Sequence, residues 1–180
     1  MRHHTFFVGT SKSKKEDAYY IAPLYRTKFW GTLKEAGITE TQIRPEEYRR
    51  LGTDYGIYLT EIVDPDEHIV NGDSNIKPYQ IESGMETLIS RIKSHEPKRV
   101  GLKNKNAATW FYRYCEDKEI TTLDDRRHKR DKNKWDYGLL DWDYYGADYY
   151  LLPTMAYDMH YDKGEYMDFW EQCRDDVRQF

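Results

Sequence analysis

Residues 6–63 read FFVGTSKSKKEDAYYIAPLYRTKFWGTLKEAGITETQIRPEEYRRLGTDYGIYLTEIV. A short apolar run at residues 6–8 predicts a first strand, and a second run at residues 56–60 predicts another. Between them, residues 28–36 place apolar side chains at the spacing of an amphipathic helix, and Gly37 supplies a stop signal. The segment therefore predicts two strands joined through helical structure, which is typical of an α/β domain.

The remainder of the chain continues this alternation of strands and helices. Residues 99–102 and 149–152 are short apolar runs that predict strands, whereas residues 81–92, 106–115 and 165–177 carry helical periodicity. We expect a three-layer αβα fold with a central, mostly parallel sheet. All 180 residues are predicted to form a single domain, because this length matches one hydrophobic core.

Composition limits the classes of function. The net charge of −4 argues against a protein that coats nucleic acid over its whole surface, since phosphate affinity needs dense Lys and Arg. Two cysteines are too few for a four-thiolate cluster or zinc site. No apolar run has the length of a membrane span, so we expect a cytoplasmic protein that does not contact membranes. We also expect a monomer that needs neither metal nor cofactor, since the cysteine count supports no cluster.

Local basic clusters matter more than the net charge. One cluster, Lys12, Lys14 and Lys15, follows the first predicted strand, where it is suited to meeting phosphate groups. Another lies within residues 119–134, which we predict to be an exposed loop because of its charge density.

The order of segments in residues 6–63 resembles the mismatch-specific uracil/thymine branch of the uracil-DNA glycosylase superfamily. In that branch a first strand ends in a Gly-x-Asn-Pro-like loop, here residues 9–13. An aromatic-Ala-His-Pro segment corresponds to residues 19–23, an Asn-Arg-Phe-Trp segment to residues 27–30, and a Gly-x-Thr-x-Leu-Val strand follows.

The resemblance implies a monofunctional DNA glycosylase, an enzyme that hydrolyses the N-glycosidic bond of a base flipped out of DNA. The base is expected to be modified or mispaired, and a modified cytosine of viral DNA would make the protein a defence enzyme rather than a repair enzyme. Uracil, mispaired thymine and hypoxanthine stay open. A catalytically silent member that binds DNA or a base is one alternative, and a small-molecule nucleoside or nucleotide N-glycosidase is another.

Catalytic positions depart from the family pattern. The water-positioning Asn of the family falls at Ser11, a catalytic candidate whose hydroxyl can still orient water, although less well than an amide. The Asn that some relatives place before the Phe-Trp pair falls at Thr27. Because both amides are missing, we expect a carboxylate near the first loop to activate water. Asp17 is the first candidate and Glu16 the second, and both are otherwise solvated charges that balance neighbouring lysines.

Base-contacting candidates come from the same loops. Tyr20 matches the aromatic residue that stacks on the flipped base, and a core position is its alternative role. The other base-binding candidates are Gly9, Thr10, Thr27 and Thr154.

A second loop at residues 101–107 resembles the family's Ala-Phe-Asn-Gly-Lys-x-Ala segment. Lys105 matches the family Lys, whereas Lys103 and Asn104 replace the Asn-Gly pair. We expect Lys103 and Lys105 to contact DNA, since a helix start also favours anions.

The third loop follows Leu152-Pro153, which matches the family's Leu-Pro pair. Beyond it, Tyr157 and Met159 are candidate wedges that fill the space left by the flipped base. His160 is a candidate donor to a base oxygen or a phosphate, with a structural role as the alternative.

Overall fold

The computed structural model of the protein describes residues 4–11, 29–63, 73–153 and 163–177. Five strands form one sheet, and six helices of the described residues cover its two faces. The strands are β1 (Thr5–Ser11), β2 (Ile57–Val63), β3 (Arg99–Leu102), β4 (Gly138–Leu140) and β5 (Asp148–Leu151). The helices are α1 (Phe29–Glu35), α2 (Arg49–Tyr55), α3 (Pro78–His95), α4 (Lys105–Cys115), α5 (Arg126–Lys132) and α6 (Lys163–Val177).

The sheet has the strand order β2-β1-β3-β5-β4. Four strands run parallel, with β1 paired to both β2 and β3, and β3 paired to β5. Only β4, at one edge, is antiparallel to its neighbour β5. The carboxyl ends of the four parallel strands therefore meet at one edge of the sheet.

Strand alternation divides the core into two layers. Phe6 and Val8 point to a first face, where they pack with α3 and α4 in one buried cluster. Phe7 points to the second face and packs with α1, α2 and α6 in another. Helices thus cover both faces of a mostly parallel sheet, which confirms the predicted α/β class.

Most predicted elements are confirmed within a few residues. The predicted strand at residues 99–102 matches β3, and the helix predicted at residues 106–115 begins one residue earlier. Two differences bear on the site. Both β1 and β2 extend three residues beyond the predicted ends, and the short antiparallel β4 was not predicted.

The prediction of an exposed loop over residues 119–134 is wrong, because this segment contains α5. His128 and Asp131, one turn apart, are both buried against α4. The side chain of Asp125 caps the helix by accepting a hydrogen bond from the backbone N–H of Arg127 at 2.7 Å. Buried polar contacts with α4 therefore stabilise a helix that has no apolar stripe.

His128 should make the protein sensitive to mild acid. Its burial, reinforced by the nearby cations Lys132 and Arg113, lowers the pKa to about 4 from an ordinary value near 6.5. As the pH falls from 6.5 toward 4, the unfolded chain takes up a proton that the folded protein does not, so folding stability decreases. We expect a loss on the order of 2 kcal/mol in this window, measured by urea unfolding at several pH values.

The variant His128→Phe is the control for this window. Phe keeps a ring against Trp110, whose centroid lies 5.6 Å from that of His128, but has no titrating group. Stability of the variant should change less between pH 6.5 and 4 than stability of the wild type. An equal decrease in both proteins would assign the acid sensitivity to other groups.

Candidate active site at the carboxyl edge of the sheet

Three strand ends lie side by side at the carboxyl edge. The backbone N–H of Lys103, just after β3, donates to the carbonyl of Val8 in β1 at 2.8 Å. In the same way, the N–H of Leu152, just after β5, donates to the carbonyl of Leu102 at 2.8 Å. The second and third predicted loops therefore begin next to each other, and the second begins beside Val8, three residues before the end of β1.

A crevice is expected between β1 and β3. The next described helix after β1 is α1, which packs on the second face, whereas α4 follows β3 directly and packs on the first face. The chain thus leaves these neighbouring strands toward opposite faces of the sheet, and open α/β sheets bind ligands at such a switch point. Residues at the ends of β1 and β3 border this switch point.

The first predicted loop begins later than expected. Gly9, Thr10 and Ser11 belong to β1, where Gly9 is opposite Glu61 and Ser11 is opposite Val63 in β2. Thr10 is buried. The strand continues because its backbone still has a parallel partner on β2. These three candidates therefore form the last residues of β1, where sheet hydrogen bonds and not a loop hold the backbone.

Glu61 is a buried carboxylate that was not predicted from the sequence. It is 8% exposed, and its carboxylate lies over the backbone of Gly9. An ideal Cβ at Gly9 would be 2.6 Å from Cδ and 2.7 Å from Oε1 of Glu61, so any side chain at position 9 would require the Glu61 carboxylate to move. The available signal was an acidic residue in an otherwise apolar and β-branched run.

Residues of the second loop are used partly in helix capping. The side chain of Asn104 accepts a hydrogen bond from the N–H of Ala107 at 2.9 Å and so caps α4. Lys103 is half-buried, and Nζ of Lys105 lies 5.2 Å from the ring centroid of Tyr137. Both lysines are at the carboxyl edge, with Lys105 held at an aromatic face.

Helix α5 packs beside this second loop. Nε2 of His128 lies 3.4 Å from Oδ1 of Asn106, in the first turn of α4. The outward face of α5 carries Arg126 and Lys129, which are exposed and form no ion pair with any residue of the described ranges. Arg127, by contrast, pairs with Asp125 and Glu119. A positive surface thus adjoins the second loop.

Several predicted site residues lie outside the described residues. These are Lys12, Lys14, Lys15, Glu16, Asp17, Tyr20, Thr27, Thr154, Tyr157, Met159 and His160. The third loop is described only as far as Pro153, which is buried next to the end of β5. The structure brings Gly9, Thr10, Ser11, Lys103 and Lys105 to one edge of the sheet.

No protein-family model matches the chain. Within the described ranges, no group of three or more His, Cys, Asp or Glu residues is arranged to hold a metal ion. Among the same residues, no helix is long and apolar enough to cross a membrane.

Proposed function

We propose that this protein is a monofunctional DNA glycosylase with a uracil-DNA glycosylase-like fold. One observation carries the proposal: the segments at Gly9, Lys103 and Pro153, which resemble the three family loops, begin at neighbouring strand ends. They border the switch point at which open α/β sheets bind ligands. A glycosylase of this superfamily needs these loops side by side, and the parallel pairing of β1, β3 and β5 supplies that arrangement.

The chemistry assigns a role to each part of this edge. Hydrolysis of an N-glycosidic bond requires a base held outside the stack, stabilisation of negative charge on the departing base, and water placed against the sugar. Tyr20 is the proposed stacking residue, and Lys103 and Lys105 are the proposed contacts to phosphate. Backbone N–H groups at the start of α4 favour the same anions.

The substrate is proposed to be DNA with a modified or mispaired base. The test incubates the protein, in the presence of a chelator, with duplex and single-stranded DNA containing uracil, mispaired thymine, hypoxanthine or modified cytosines, and measures abasic sites. Release of one base in chelator supports a metal-independent glycosylase. Binding without release would indicate a catalytically silent member, and cleavage of free nucleosides or nucleotides alone would indicate a small-molecule N-glycosidase.

Phosphate binding by the first loop gives a prediction on salt dependence. Changing Lys12, Lys14 and Lys15 to Ala should weaken DNA binding similarly for all sequences, because phosphate groups carry no base information. The slope of log K against log salt should fall by up to about 0.9 for each phosphate that the variant no longer neutralises. The measurement is a titration of labelled DNA at several salt concentrations.

A charge-matched control removes Arg126, Lys129 and Lys132 on α5 instead. This triple variant loses the same net charge, so it separates local binding from the overall field of the protein. We expect a smaller change in slope than for the first triple variant. A larger change would move the DNA path from the first loop onto α5.

A further inference from the structure

Glu61 breaks the apolar pattern of its own strand. Ile57 and Leu59, the preceding residues on the same side of β2, both pack in the core of the second face. Alternation predicts a third apolar side chain at position 61, but the chain carries a carboxylate there that is only 8% exposed. Burying an ionisable group costs free energy unless its surroundings compensate for it, so such exceptions often mark functional sites.

Gly9 provides the space for this carboxylate. Residues 9 and 61 are opposite each other in the parallel pair, and a side chain on Gly9 would displace the carboxylate of Glu61 from this position. The carboxylate thus reaches from β2 over the backbone of β1 at Gly9. It lies two residues before the carboxyl end of β1, one of the two strands at the switch point.

We infer that Glu61 is the carboxylate that takes a proton from the attacking water. The inference rests on the proposed function. The water oxygen forms a bond to C1′ of the sugar while its proton moves to the carboxylate of Glu61. The bond between C1′ and the base nitrogen breaks, its electron pair leaves with the base, and the proton is then passed to the departing base.

Position favours Glu61 over the carboxylates at residues 16 and 17. Glu61 is on a strand whose backbone is paired with β1, so its position is defined, and general-base catalysis needs the acceptor within hydrogen-bond reach of the water. Glu61 is also next to Gly9, the position at which the family's loop begins. The missing amides at Ser11 and Thr27 would then be replaced by a carboxylate from the neighbouring strand.

The test measures single-turnover base release by Glu61→Gln on the substrate that the screen identifies. Glutamine keeps the shape but accepts no proton, so we expect a rate lower by about 10²-fold or more, with DNA affinity within about twofold of wild type. Gly9→Ala, which crowds the carboxylate, should also slow release.

Chemical rescue separates catalysis from a structural role. Formate should restore part of the rate to Glu61→Ala, which leaves room for a small carboxylate, and should restore much less to Glu61→Gln. Two results would overturn the inference: a wild-type rate in Glu61→Gln, or slow release in Glu61→Ala that formate does not change. The proposed function would still stand in either case, provided that the wild type releases base. Wild type that releases no base would overturn both.

Discussion

Asp131→Ala is expected to lower the free energy of unfolding by about 3–5 kcal/mol, because it leaves a buried guanidinium without its counter-ion. Arg113 and Asp131 are 3% and 1% exposed, and Nη1 of Arg113 lies 2.5 Å from Oδ2 of Asp131. Nζ of Lys134 lies 3.0 Å from the other carboxylate oxygen. Urea unfolding at pH 7 measures the loss, with an unchanged m-value indicating that the transition is comparable.

A double variant distinguishes removal of the pair from removal of one partner. Arg113→Met with Asp131→Leu replaces both charges by apolar groups, which is often close to neutral in stability. We expect the double variant to be more stable than Asp131→Ala alone. A small loss in Asp131→Ala, well below about 1 kcal/mol, would contradict a buried ion pair and indicate that water reaches Arg113.

The same pair explains why α5 could not be predicted from the sequence. Residues 126–132 read RRHKRDK, a stretch with no apolar side chain and hence no hydrophobic period. The helix depends on His128 and Asp131, which become buried only through packing against α4. Arg113 and Asp131 are 18 residues apart in the chain, so their ion pair leaves no signal in the local sequence that would predict the helix.

Elements with a local signal were predicted well. Strand β3 is an apolar run between Pro97 and the cap of α4, so both of its ends are marked by residues with strong backbone preferences. Strand β4 has no such signal, because Leu139 is 65% exposed and Gly138 begins the strand. A short edge strand is formed by pairing with β5, not by its own side chains.

The candidate site was predictable in part for a similar reason. Resemblance identifies loop positions by residue type, so it found Gly9, Lys103 and Lys105 at the carboxyl edge. It could not find Glu61, since an acidic residue in a strand is read as solvent-facing until the neighbouring strand is known. Only the register between β1 and β2 shows that this carboxylate is covered and directed across Gly9.

Close packing between α3 and β2 gives the second large expected effect. Gly84 lies in α3 at the point where this helix approaches the sheet. An ideal Cβ at Gly84 would overlap the carbonyl oxygen of Ile62 and lie 2.7 Å from its carbonyl carbon. These are backbone atoms of β2, so no rotamer change can relieve the overlap, and the helix or the strand must move.

Gly84→Ala is therefore expected to lower the free energy of unfolding by more than about 3 kcal/mol, beyond the usual range for overpacking. Gly31→Ala is the matched control, since Gly31 is also helical but an ideal Cβ there has no atom within 4 Å. That variant should gain up to about 1 kcal/mol, because alanine has the higher helix propensity. Urea unfolding of both measures the difference.

Because Ile62 follows Glu61 directly, folded Gly84→Ala should also release base more slowly than Gly31→Ala. Equal stabilities for the two variants would show that α3 does not approach β2 this closely.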